Sequence, residues 1–107
     1  MDVEDRARLL SCLETLVDGV RYEDLSALLI QTVAITLDDD QAIKSGRTER
    51  TRMKTLLQEV LPYRENGFAG FLEALDLFYP QMAANLRQVN VHQKMLQRYG
   101  LSFPEEW

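Results

Sequence analysis

An all-α fold, a compact antiparallel bundle of six short helices, is what this sequence predicts. Three observations carry the prediction. Apolar residues recur at three- and four-residue intervals in six separate stretches, each bounded by Gly, Pro or a capping residue. β-branched alternation occurs once, from Val33 to Leu37, with no second stretch to pair with it, so it reads as a helix end and connector. Between Asn66 and Pro80, the residues Phe68, Phe71, Leu72, Leu75 and Phe78 fall on one helical face. That payload predicts a helix at the centre of the bundle.

Helix one rests on Val3, Ala7, Leu10, Leu13, Leu16 and Val17 and stops at Gly19, with Arg6 and Arg8 projecting away from the stripe. Helix two rests on Tyr22, Leu25, Leu28, Leu29 and Val33, and Glu23 and Asp24 suit its electropositive first turn. Asp38 is the expected N-cap of helix three, with Gln41 placed for a capping-box exchange and Gly46 closing the helix. Thr48 opens helix four, whose face is Met53, Leu56, Leu57, Val60 and Leu61, and Pro62 ends it. Asn66 is the expected cap of helix five. Its glycines, Gly67 and Gly70, predict close approach of a neighbouring helix. Pro80 ends helix five and suits the first position of helix six, which carries Met82, Leu86 and Val89.

Phe71, Leu72, Leu75, Leu56, Leu57, Leu13 and Leu28 are expected in one core, joined by Phe68 and Phe78. Residues 1–90 form the expected bundle and residues 91–107 a C-terminal extension. In it, Met95, Leu96 and Tyr99 either extend helix six or make a separate helical turn before Gly100. Phe103 to Trp107 reads as a packed tail or the start of a linker.

The totals narrow the function. The chain of 107 residues is one domain, 46% hydrophobic and 27% charged, as in an ordinary globular protein. No apolar run approaches the roughly 18 residues a membrane span needs, and the acidic N-terminus lacks the features of a signal peptide. The lone Cys12 has no internal disulfide partner. A cytoplasmic location without membrane contact is expected. The net charge of −5 argues against nucleic acid as a partner.

The charges are also polarised. Asp38, Asp39 and Asp40 stand together, while Lys44, Arg47, Arg50, Arg52 and Lys54 follow with only Glu49 opposing them. One aspartate is enough to cap a helix. The others, with the basic run, suit association of protein with protein through opposite patches. The alternative is a small helical nucleic-acid-binding domain using the face from Lys44 to Lys54. Cys12 and His92 lie far apart with no third ligand, and no paired carboxylates, phosphate loop or nucleophile signature accompanies them. No metal, cofactor or catalytic residue is expected.

Helices four and five carry a further signal. Arg52-Met53-Lys54-Thr55-Leu56-Leu57-Gln58 follows a basic-x-basic-x-Leu-Leu-acidic run up to Gln58. Gly67-Phe68-Ala69-Gly70-Phe71-Leu72-Glu73-Ala74-Leu75 follows a Gly-aromatic-x-x-Phe-Leu-Glu-x-Leu run. From Arg50 to Leu86 the chain resembles the caspase-recruitment domain (CARD), a six-helix member of the death-fold superfamily. Asp76-Leu77-Phe78-Tyr79-Pro80 is most similar to the domains of CARMA-type coiled-coil scaffold adaptors. Arg64 replaces a glycine often found in that family between helices four and five.

The resemblance implies a death fold without catalysis or cofactor. It implies binding to other CARD-containing proteins or to further copies, in many cases as filaments, in immune or cell-death signalling. In that family a basic surface from helices one and four meets an acidic surface from helices two and three. The resemblance thus implies Arg6, Arg8, Arg50, Arg52 and Lys54 as the basic half of such a contact here. Glu23, Asp24, Asp38, Asp39 and Asp40 supply the acidic half.

Overall fold

Helix follows helix, with no strand, through residues 1–102, the part of the chain that the computed structural model describes. The first amphipathic stretch forms α1 (Val3–Ser11) and α2 (Leu13–Gly19), broken once at Cys12, where φ is −105° and ψ is 8°. The break lets one stretch serve two neighbours: α1 packs against α7 and α8, and α2 against α5. α3 (Tyr22–Gln31) and α4 (Leu37–Lys44) follow, with the Val33–Leu37 alternation acting as connector. Thr48 opens α5 (Glu49–Lys54) as expected, its hydroxyl accepting from Thr51 N–H at 3.1 Å. The chain then widens into a π turn, Thr55–Val60, and tightens into a 3₁₀ turn, Leu61–Tyr63, that holds Pro62. α6 (Gly67–Phe78) comes next, and α7 (Pro80–Gln88) starts on its proline.

The six expected stretches thus correspond to α1 through α7, the first in two pieces. α8 (Gln93–Arg98) falls within the expected extension as a separate short helix, and it packs against α1 with Leu96 buried. The tail or linker expected at Phe103–Trp107 lies outside the described residues. The Cα radius of gyration is 13.5 Å, close to the roughly 13 Å of a compact domain this long.

α6 sits centrally, packed on α3, on α7 and on the 3₁₀ turn. Phe71, Leu75, Leu56 and Leu57 are buried, and Leu13, Leu28, Leu72 and Phe68 lie half-buried against them. Phe78 corrects the expectation: it is 48% exposed. The buried stripe of α6 is Gly67, Gly70, Phe71, Ala74 and Leu75, centred on small residues rather than on the bulkiest ones. A Cβ at Gly70 would lie 2.5 Å from the Ala34 Cβ and 2.7 Å from the Thr32 Oγ1. One at Gly67 would lie 2.5 Å from the Leu61 carbonyl oxygen. The close approach is present, but the α3–α4 connector and the 3₁₀ turn make it, not a neighbouring helix. Gly70→Ala is therefore expected to destabilise the fold by about 1–3 kcal/mol in urea denaturation, despite alanine's better helix propensity. An unchanged midpoint would mean that the connector does not rest on α6.

Two caps also differ from expectation. Thr36, not Asp38, caps α4: its hydroxyl accepts from Asp39 N–H at 3.0 Å, and Asp39 accepts from Thr36 N–H at 2.9 Å. Asp39 thereby fills the capping-box position expected for Gln41. Asn66 does not cap α6; its Nδ2 donates to the Thr32 carbonyl at 2.7 Å and ties the turn before α6 to the connector.

Candidate interaction surface

The aspartate triplet divides between surface and interior. Asp39 points back at its own cap and also accepts from both arms of Arg64, with Nε at 2.7 Å. Arg64 is thus a structural tie between the turn before α6 and the start of α4. The guanidinium and the Thr36 hydrogen bonds hold the Asp39 carboxyl down at about 2. Asp40 accepts from the Tyr22 hydroxyl at 2.5 Å and pairs with Lys44 at 3.0 Å. Burial, and then the carboxylate beside it, push the Tyr22 phenol well above its ordinary value. Both aspartates are buried, at 8% and 7% exposure. Of the triplet only Asp38 is exposed, so Asp39 and Asp40, expected on the acidic surface, belong to the interior.

On α3, Glu23 and Asp24 are exposed. Glu23 pairs with Arg21 at 2.6 Å, and Asp24 accepts from the Tyr79 hydroxyl. This contact ties the α6–α7 junction to the start of α3.

The basic residues are also unequal. Arg50 binds Glu14 at 2.7 Å and Asp18, which staples α5 to α2. Arg8 pairs with Asp5 at 2.8 Å, and Arg52 with Glu49 at 3.3 Å while donating to the Gly46 carbonyl at 2.9 Å. Arg6, Arg47 and Lys54 have no ion pair among the described residues. The structure thus brings the first and fourth expected helices together but neutralises much of their charge internally. Arg6 stands at the edge of a groove of about 200 Å³ lined by Leu9, Leu10, Leu57, Gln58 and Pro62.

Sequence reasoning missed the exposed apolar side chains. Val33 is 73% exposed, Tyr63 67% and Leu37 66%, and all three flank the joint where Thr32, Ala34 and Asp39 meet Arg64, Asn66 and Gly70. Leu77, 66% exposed, and Phe78 project from the end of α6, where Leu77 edges a shallow groove with Leu28, Glu73 and Asp76.

Cys12 is half-buried at the α1–α2 break, and His92 is exposed, its Nδ1 accepting from Met95 N–H at 3.3 Å as the cap of α8. Among the described residues no three His, Cys, Asp or Glu side chains gather as metal ligands, and no helix is long and apolar enough to cross a membrane. Comparison with known proteins finds no matching family model, no matching curated protein and no matching solved structure.

Proposed function

We propose that this chain is a non-catalytic, homotypic interaction module of the caspase-recruitment type. It joins to further copies of itself or to other such domains through opposed charged surfaces, in cytoplasmic immune or cell-death signalling. The observation that carries the reading is the division of charge between helices. Glu23, Asp24 and Asp38 project from α3 and α4. Arg6 and Lys54, without ion-pair partners among the described residues, belong to the paired α1–α2 and α5 layer. A contact between two different surfaces runs head to tail, so it can repeat from copy to copy. The nucleic-acid reading is less well supported, since Lys44, Arg50 and Arg52 are already paired within the fold.

Sedimentation velocity tests the proposal. Wild type should assemble at low salt and dissociate as salt rises, because exposed charges are screened beyond about 8 Å at physiological ionic strength. Glu23→Lys with Asp38→Lys, and Arg6→Glu with Lys54→Glu, should each abolish assembly. Each variant keeps one working surface, so an equimolar mixture should give a species of twice the monomer mass. Assembly that survives both reversals would overturn the charged contact.

A further inference from the structure

α3 closes with Val33 N–H donating to the Ile30 carbonyl at 3.1 Å and Ala34 N–H to the Leu29 carbonyl at 2.9 Å. The pivot of this closure is Val33, at φ 61°. That is the left-handed region, where a helix end ordinarily places glycine or asparagine and where a β-branched residue is strained. A strained side chain is usually offset by what it packs against. This one packs against little, being 73% exposed. Leu37, also exposed, begins α4 four residues on, next to the exposed carboxylate Asp38. Asp38 has no ion-pair partner among the described residues.

We propose that Val33 and Leu37 form an apolar knob that seats, in a second copy of this chain, in the groove between Leu9, Leu10, Leu57 and Pro62. Two features pick out this occupant. The groove is apolar and, at about 200 Å³, roomy enough for an aliphatic side chain. Arg6 on its rim complements Asp38 beside the knob. The knob adds apolar burial, which is favourable in itself, to a contact whose charges set its register and its salt dependence. The inference rests on the proposed function in requiring self-association. It adds that the contact has an apolar centre, for which the chain retains a residue unsuited to its backbone.

The strain gives a test in which stability and association move in opposite directions. Val33→Gly relieves the left-handed pivot and should raise the melting temperature by about 4 °C. The same substitution removes the knob and should weaken self-association about tenfold or more in sedimentation velocity. Leu37→Ser should weaken association similarly with little change in melting. A mixture of Val33→Gly, which keeps its groove, with Arg6→Glu, which keeps its knob, should form a one-to-one complex. If Val33→Gly melts below wild type, the valine supports the fold and the inference fails. If Val33→Gly assembles like wild type while the charge reversals abolish assembly, the knob is wrong and the charged contact stands. A wild-type chain that stays monomeric at every concentration overturns both.

Discussion

Phe71→Ala is expected to leave little folded protein at room temperature. The ring is fully buried in the central helix, where α3 and α7 pack on α6. Truncating a buried Phe usually costs about 3–5 kcal/mol, from lost transfer energy and from a cavity that the neighbours only partly fill. Domains of this size have roughly 5–15 kcal/mol to lose. The cavity should persist here, because the connector already touches the adjacent Gly70 and has no shorter approach to make. Circular dichroism melting checks the expectation, with Phe71→Leu as a milder control. A Phe71→Ala variant melting within a few degrees of wild type would mean that α6 does not organise the core.

The second large effect concerns Asp39. Its carboxylate serves Thr36 N–H and both arms of Arg64, so Asp39→Ala removes a cap and leaves the guanidinium without its counter-charge. Breaking a fully buried pair costs about 3–5 kcal/mol. Arg64 is 38% exposed and water can solvate it, so the expected loss is set mainly by the cap, about 0.5–2 kcal/mol. The pH dependence has a definite sign. The folded state holds this carboxyl at about 2, below its ordinary 3.8, so the tie contributes fully above about pH 5 and is lost as pH falls towards 2. Asp76, held down by Arg87, acts in the same direction. Asp5, pushed up by burial, acts against it. Wild type should therefore lose stability through that window, and Asp39→Ala should lose less. Parallel curves for the two proteins would show that the ion pair contributes nothing. Charge reversal at Asp39 would consequently probe folding and not association.

Local pattern was legible in the sequence, and tertiary partnership was not. Each of the six apolar stretches contains a helix, although Val33 and Val89 fall just beyond α3 and α7, and Thr48 and Pro80 occupy their expected positions, because caps and periodicity act within a few residues. The roles of Asp39 and Asp40 depended on Arg64 and Tyr22, which lie 25 and 18 residues away. No spacing rule reaches that far. The aromatic face of α6 was likewise read from side-chain bulk, whereas the buried face combines Phe71 and Leu75 with Gly67, Gly70 and Ala74, where backbone comes close. Phe78 then falls at the helix end, beyond the neighbours that cover Phe71 and Leu75. Val33 at the end of α3 had no local trace: most helices here end without any left-handed residue, and nothing in the sequence marks this valine as one.

The π turn from Thr55 to Val60 gives this protein tolerance to a change in length. In an ordinary helix, deleting one residue rotates everything beyond it by about 100° and carries the apolar face away from the core. A π turn holds about one residue more than an α turn, so losing one there lets the backbone close to the regular form. Met53 before the turn and Leu61 after it, both fully buried, would keep their phase. Chains one residue shorter in this region are compatible with the same core. Lineages of the two lengths would then align in register on either side of Thr55–Val60 and only appear to disagree within it.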